Sequence, residues 1–470
     1  MDKQPSFKKI SQGYTFKVLM LVALVLLLLL PLNMIRGLVR ERGRTAAFAE
    51  ADIMEAWGNQ LIEAGPVVII PGVQTTEHRS KTEKDGEKVD ITKQPFTLMV
   101  SPKKLNIDAS FKTEVRKRGI FSVPLFQGTL ALSGSFDPAM AVSELRPNEE
   151  VFFNQAELVI ALSSQKGIRK INKSEWDGGE LFFQPGNRGY NLFNPGDVPL
   201  NADKRAAMRD AESFTDKYGG GIYAALPRFQ NKEAEFSISM EIQGGQLVRV
   251  LPIGQDTSVR ISSDWPSPSF QGAFLPSASS VSNSEFSARW DISYLSRDIP
   301  LFQKDYSKDR YNYGGSLFGV DFFRTIDTYA LNTRAVKYAI LFLMVPFLTL
   351  FLLEVFTKKR IHPVPYLLSG IGNAVFYLLL LSLSEQIPFD TAYLIAAFAV
   401  TALMTLYSRS LLPSWGKSWY MGLVVGISYV LLYAVLNAES YALLIGSVGA
   451  FVIIALVMFL TRKLDWYGGE

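Results

Sequence analysis

The residue types that carry most protein chemistry are scarce in this 470-residue chain. It has no cysteine, which excludes disulfide scaffolds, cysteine-ligated metals and thiol catalysis. Its two histidines, His78 and His362, lie far apart in sequence, so we expect no histidine-rich metal site. A serine–histidine–aspartate triad in the polar part of the chain would need His78, which lies in the charged segment 78–88, HRSKTEKDGEK. We predict that this segment is a solvated hairpin loop and that His78 is a surface residue.

Other patterns that suggest catalysis are incomplete. GKS at 416–418 matches the end of a phosphate-binding loop, but the glycine required five positions before Gly416 is Leu411. No two carboxylates are paired within an apolar segment, so nothing favours a glycosidase. The net charge is only +4 and there is no basic arm, which argues against a nucleic-acid partner. We therefore predict a protein that is not an enzyme and has no cofactor and no metal.

The most distinctive segment is SDWPSPSFQGAFLP at 263–276. Its prolines cannot donate hydrogen bonds to a central sheet ladder, so the chain is expected to leave its sheet here. Its aromatic side chains would anchor the crossover on a core, and its hydroxyl groups have no base at hand. We predict a fold-critical corner or a contact surface, formed by Trp265, Pro266, Pro268, Phe270, Gly272 and Phe274.

Hydrophobic patterning predicts a membrane protein. The run 16–36 is long enough to cross roughly 30 Å of hydrocarbon. Arginines follow it where a signal-peptide cleavage site would lie, so we expect an uncleaved anchor. Five further spans are predicted within 334–461, at 335–356, 364–384, 391–408, 419–436 and 441–460.

Basic residues predict the orientation of these six spans. Seven lysines and arginines follow spans two, four and six, whereas the loops 384–390 and 437–440 contain none. Both termini, 1–15 and 462–470, are therefore expected in the cytoplasm and the segment 37–333 outside it. The four arginines directly after the first span oppose this bias, but long translocated domains follow the rule poorly.

The segment 37–333 lacks membrane periodicity. Short alternating runs such as PFTLMV and EFSISMEI, separated by turn residues, predict a large antiparallel β-rich, sandwich-like domain, or two in tandem. Helices are expected at 44–62, next to the membrane, and at 201–214. The predicted fold class is an α+β membrane protein with an N-terminal transmembrane anchor, a β-rich domain and a C-terminal five-helix bundle.

Few polar residues lie in or beside the predicted spans. Proton and ion relays normally need ionisable residues within the membrane, so the sequence gives little support to such a relay. We expect Glu354 to pair with Lys358 or Arg360, and Asn373 to hydrogen-bond to a neighbouring helix. GLVVG at 422–426 suits close helix packing, within the chain or between copies. The candidate membrane-interface polar residues are Glu354, Arg360, His362, Asn373 and Glu385.

Five long segments of the chain are distinctive together: 118–137, 262–276 (SSDWPSPSFQGAFLP), 334–342, 351–389 and 460–467 (LTRKLDWY). They resemble the CreD family of bacterial inner-membrane proteins. The resemblance implies a cell-envelope integrity protein associated with the Cre two-component regulon, colicin tolerance and stress responses, with no established enzymatic activity. One departure is SSQKGIRK at 163–170, where Ser164 replaces an acid and Lys166 an arginine of the family pattern.

Three functions from different classes remain open at this stage. The leading hypothesis is a non-enzymatic inner-membrane protein whose periplasmic β-domain binds an envelope protein, lipid or glycan. Membrane lipids are expected partners, and self-association stays open. The alternative is a transporter or lipid-handling protein, which a cavity reaching Asn373 would favour and a packed bundle would disfavour. An envelope hydrolase ranks third and would need a convergent acid and base.

Overall fold

A computed structural model describes the chain in two compact units. The helical unit comprises Met1–Thr45 and Ile326–Glu470, and the β unit comprises Ala46–Thr325. The described residues are 14–81, 87–190, 192–193, 220–305, 313–322, 328–357, 361–411, 415–438 and 442–462.

The apolar segments predicted to span the membrane form long helices. Helix α1, Tyr14–Trp57, contains the predicted anchor and continues without a break into the predicted juxtamembrane helix. Among the residues with a described structure, five helices are long and apolar enough to cross a membrane. The sixth predicted span is also helical. Within the described ranges, the helices after α1 are the short α2 (Ala139–Ser143), α3 (Thr328–Thr357), α4 (Pro363–Ser384), α5 (Phe389–Leu411), α6 (Trp415–Asn437) and α7 (Ala442–Thr461).

Glycines allow close helix packing in the helical unit. A Cβ atom on Gly370 of α4 would lie 2.2 Å from Cδ1 of Leu28, so the missing side chain lets α1 pack closely at this point. A Cβ atom on Gly422 would lie 2.1 Å from Oγ1 of Thr405. The first glycine of GLVVG therefore packs α6 against α5 within the chain, in the manner of small-residue contacts between membrane helices.

The β unit contains two sheets within the described ranges. Sheet A has ten strands, and seven of them follow the order β14-β18-β12-β1-β6-β10-β9. Its strands are β1 (Leu61–Lys81), β2 (Glu87–Val100), β5 (Glu149–Val151), β6 (Glu157–Leu162), β9 (Gln184–Pro185), β10 (Gly220–Ala225), β12 (Leu247–Leu251), β14 (Pro268–Gly272), β17 (Phe302–Asp305) and β18 (Phe318–Phe322).

Sheet B has eight described strands in the order β15-β16-β13-β3-β4-β11-β7-β8. Inner strands such as β16 alternate buried and exposed residues, because one face packs on the core and the other faces solvent. The strands are β3 (Lys104–Arg118), β4 (Phe121–Phe136), β7 (Ile168–Trp176), β8 (Gly179–Glu180), β11 (Ala234–Gly245), β13 (Asp256–Ser263), β15 (Ala278–Val281) and β16 (Phe286–Ser293).

The two sheets share one hydrophobic core. Phe126 of sheet B packs on Phe322 of sheet A with ring centroids 5.2 Å apart, and Trp290 packs on Phe318 at 5.4 Å. The expectation of a purely antiparallel sandwich is wrong at two places, since β1 pairs with β12 and β13 with β3 in parallel. Parallel pairing needs long crossover connections, and alternation within single strands does not reveal them.

The prediction of a loop at 78–88 is wrong for its described part. Strands β1 and β2 extend as a ribbon in which His78 pairs with Asp90 and Lys81 with Glu87. The ladder is held by backbone hydrogen bonds, so missing apolar periodicity did not mean missing strand structure. Residues 82–86 and the predicted helix at 201–214 lie outside the described residues.

Candidate functional site

The segment 263–276 carries the chain from one sheet to the other and most of the way back. β13 ends at Ser263 in sheet B, β14 forms the edge of sheet A, and β15 forms the edge of sheet B. Pro268 opens β14 opposite Phe322, where an edge strand tolerates a residue without a backbone N–H. Proline therefore determines where this segment joins the second sheet.

Three aromatic side chains of this segment are partly buried and pack against the core. Their rings meet core rings edge-on, which is a favoured geometry for aromatic pairs. Two indole N–H groups fix the backbone as well: that of Trp265 donates to Ser267 O at 3.1 Å and that of Trp290 to Phe274 O at 3.2 Å. The ring pairs are Trp265–Phe322 at 6.3 Å, Phe270–Trp290 at 5.9 Å and Phe274–Phe318 at 5.8 Å.

Gly272 is required by a close approach of two strands. Its φ is +110°, and a Cβ atom there would lie 2.3 Å from the carbonyl oxygen of Leu317. No side chain fits at that distance, so the last residue of β14 must be glycine. Pro266, in contrast, is exposed.

Residues 268–281 form the outer part of this region, which we call the edge strip. It contains no Asp, Glu, Lys or Arg. Leu275 is 76% exposed, Val281 is 51% exposed, and every residue of β15 is exposed. Natural sheets commonly protect such edges with charges, so an uncharged edge is a surface on which a partner can dock.

In the helical unit, Glu385 forms a bidentate ion pair with Arg42. The Nε and Nη2 atoms of Arg42 donate to the two carboxylate oxygens at 2.9 and 2.7 Å, and the hydroxyl of Tyr329 donates at 3.2 Å. The Glu385 side chain is 7% exposed and that of Arg42 is 41% exposed. The ion pair connects α1 to the C-terminal end of α4. Sequence reasoning identified Glu385 but missed its partner.

Asn373 lies at the centre of a buried hydrogen-bond network. Its Nδ2 donates to Phe342 O at 3.0 Å, and its Oδ1 accepts from the hydroxyl of Tyr429. Tyr393 in turn donates to Tyr429 O at 2.6 Å. Asn373 is 2% exposed, so its amide links α3, α4 and α6 rather than facing open space.

Glu354 is buried and accepts a hydrogen bond from the hydroxyl of Tyr366 at 2.8 Å. The expected partners Lys358 and Arg360 lie outside the described residues. His362 caps the start of α4, where its Nδ1 accepts from the backbone N–H of Val364 at 3.4 Å.

The structure does not bring the polar candidates of the helical unit into one site. Tyr329, at the start of α3, contacts Glu385, whereas Glu354 lies 25 residues later on the same helix. That separation corresponds to roughly 40 Å along the helix axis. The two carboxylates therefore lie at opposite ends of the helical unit and cannot act on one substrate.

Sequence reasoning missed two buried charged positions in the β unit. Glu63 is fully buried, and neither carboxylate oxygen has a hydrogen-bond partner among the described residues. Burial raises the pKa of the Glu63 carboxyl well above its usual value. On the neighbouring strand, Arg249 is 1% exposed and pairs with Asp321, and burial lowers the pKa of its guanidinium. A single acid within the apolar run LIEAGPVVII was the sequence feature that could have revealed Glu63.

At the departure from the family pattern, Lys166 has an acidic partner. Its Nζ lies 3.4 Å from Oε1 of Glu55, and both side chains are largely exposed. Exposed pairs of this kind contribute little to stability. Ser164 precedes a short 3-10 turn, Gln165–Gly167.

Across the described residues, no three His, Cys, Asp or Glu side chains are grouped so as to hold a metal ion.

Together, the apolar helices and the two-sheet β unit define a membrane protein with a large β-rich insertion between its first and second predicted spans.

Within that class, residues 13–467 match the family described as "Inner membrane protein CreD", and the chain belongs to this family. It is similar to "Inner membrane protein CreD" of Escherichia coli (strain K12), with 29% identity over 456 residues. The match covers 96% of this chain and 93% of that protein. The resemblance found in the sequence is thus confirmed, and with it the assignment to inner-membrane proteins. The family description names no enzymatic activity.

Proposed function

We propose that this chain is a non-enzymatic protein of cell-envelope integrity whose β unit lies in the periplasm and binds an envelope component. The edge strip is the observation that carries the proposal. It contains two sheet edges that follow each other in sequence and have no charged residue of their own: β15 is exposed throughout, and β14 is partly buried on aromatic side chains that pack on the core. Free backbone groups on such edges can pair with an extended segment of a partner.

The contacts of the helical unit support a role as an anchor. Asn373 is buried and its amide is used between helices, and Glu385 is neutralised by Arg42. Transport of ions or protons normally requires ionisable groups arranged along one path. The separation of Glu354 from Glu385 along α3 and α4 argues against such a path.

The pairing of Arg42 with Glu385 also supports the proposed orientation. It places the residues after the first span at the same end of the helical unit as the loop 384–390. That loop has no basic residue, which favours the periplasmic side. In this orientation both termini are cytoplasmic and the β unit is periplasmic.

Photocrosslinking in intact cells tests the proposal. A photoreactive residue replaces Leu275, in the edge strip, and in a matched control it replaces Phe182, which is 78% exposed elsewhere in the β unit. We expect an envelope component to be captured from position 275 and not from position 182.

A second substitution makes the crosslinking specific. Val281→Asp places a charge on the edge strip and should reduce capture from position 275, whereas Ile91→Asp, at a site 61% exposed, should not. Equal capture from positions 275 and 182, or capture unaffected by Val281→Asp, would contradict binding through the edge strip.

A further inference from the structure

A groove between α1 and α3 lies on the surface of the helical unit. Its volume is about 370 Å³, and its walls are apolar, formed mainly by Leu29, Leu32, Val336 and Ile340. Leu32 and Val336 are buried at its base, whereas Ile340 is 43% exposed at its rim. These residues belong to two helices that are apolar enough to cross a membrane, so hydrocarbon chains are the natural surroundings of the groove.

One end of the groove is polar and basic. Asn33 and Arg36 of α1 line it, and the exposed Lys337 directly follows Val336 on α3. None of the lining residues is acidic. Within the described parts of the chain, the side chains of these three residues make no hydrogen bond or ion pair with protein.

These polar groups lie at the level where lipid headgroups are expected. Arg36 directly follows the apolar run of the first span, at the boundary between hydrocarbon and headgroups. The side chains of Asn33 and Arg36 are both exposed, so a headgroup at this level can reach them. A phosphate suits them, because guanidinium groups bind phosphate through paired, charge-assisted hydrogen bonds.

We propose that this groove binds one anionic phospholipid. An acyl chain lies along the leucine and isoleucine wall, and the phosphate accepts hydrogen bonds from Arg36 and Asn33. Charge selects the headgroup: the lining contains one cation, Arg36, and no acid, which favours a headgroup with net negative charge and disfavours a cationic choline. The groove thereby gives α1 and α3 a shared lipid ligand.

Native mass spectrometry of the delipidated full chain in detergent tests the headgroup. Phosphatidylglycerol and phosphatidylcholine with identical acyl chains are added separately, and bound lipid is counted. We expect phosphatidylglycerol to bind about 10-fold more tightly, and Arg36→Gln to remove most of that difference. Lys417→Gln, which removes a charge at the start of α6, is the matched control and should leave binding unchanged.

A second variant tests the apolar wall. Ile340→Trp fills the groove and should weaken the binding of both lipids while leaving their order unchanged. Thermal unfolding in detergent verifies that each variant is folded. Equal binding of the two lipids, or phosphatidylglycerol binding that is insensitive to Arg36→Gln or to Ile340→Trp, would overturn the proposal.

Discussion

Arg42 and Glu385 are 343 residues apart in sequence and form two hydrogen bonds, 2.9 and 2.7 Å long, within the helical unit. The pair joins the end of the first span to the loop between α4 and α5. In the orientation proposed above, the ion pair lies at the periplasmic end of the helical unit and gives Arg42 a structural role there.

Breaking this pair should destabilise the helical unit. Arg42→Gln leaves the 7%-exposed carboxylate of Glu385 without its charged partner, and Glu385→Gln removes the acceptor charge. We expect the free energy of unfolding to fall by about 1–3 kcal/mol in each single variant. In the double variant it should fall by less than the sum of the two losses, because the two residues act as a unit. Thermal unfolding in detergent measures the loss.

Arg44→Gln is the control for this series, since Arg44 is exposed on the same helix. It should change the unfolding temperature little. Additive losses for Arg42→Gln and Glu385→Gln would show that the pair does not couple the two helices.

Gly272→Ala should disrupt the edge of sheet A. The new methyl group would meet the carbonyl oxygen of Leu317 at 2.3 Å in addition to an unfavourable positive φ. Gly178→Ala is the matched control, because Gly178 also has a positive φ, +80°, but nothing lies within 4 Å of its Cβ position. Chemical denaturation should show a loss of unfolding free energy of about 2–4 kcal/mol for Gly272→Ala and about 1 kcal/mol for Gly178→Ala. Equal losses would mean that the contact with Leu317 does not matter.

Two tyrosine hydroxyls of the helical unit, those of Tyr429 and Tyr377, should contribute very differently to stability. Tyr429→Phe leaves Oδ1 of Asn373 without its buried donor and should cost about 1–3 kcal/mol. The hydroxyl of Tyr377 is buried without a partner among the described residues, so Tyr377→Phe should be neutral or stabilising. Unfolding temperatures of the two variants in detergent provide the comparison. A larger loss for Tyr377→Phe would contradict the described network.

Glu63 should make the stability of the β unit depend on pH. Its pKa is raised by burial in the folded chain, so the unfolded chain ionises first as the pH rises above about 4.5. The free energy of unfolding should then fall by up to about 1.4 kcal/mol per pH unit until the folded pKa is reached. Below the unfolded pKa the carboxyl is protonated in both states and contributes nothing to the dependence.

Glu63→Gln should remove this loss, so the variant should gain stability over the parent as the pH is raised from 4 to 8. Glu285→Gln, at an exposed acid, is the control. Denaturation curves at several pH values measure the difference. A constant difference between parent and Glu63→Gln across this range would contradict a neutral buried carboxyl.

The structural features that depend on local residue patterns could be predicted from the sequence. Apolar length predicted the helices, and the prolines of 263–276 predicted that the chain leaves its sheet there. The parallel pairing of β1 with β12 was missed, because it depends on which distant strands meet. The partner of Glu385 was missed for the same reason, since charge type identifies a candidate but not its position in space. At His78, missing apolar periodicity was taken for a loop although the backbones of β1 and β2 pair there.

Cysteine labelling tests the central claim, a periplasmic β unit on a cytoplasmically terminated anchor, most directly. The chain has no cysteine, so single substitutions can be labelled without background. Leu275→Cys reports on the edge strip, and Gly416→Cys, at an exposed site with nothing within 4 Å of its Cβ position, reports on the start of α6. With a membrane-impermeant maleimide, we expect Leu275→Cys to react in cells with a permeabilised outer membrane and Gly416→Cys to react only after lysis. Labelling of Gly416→Cys in intact cells, with Leu275→Cys protected until lysis, would contradict the account.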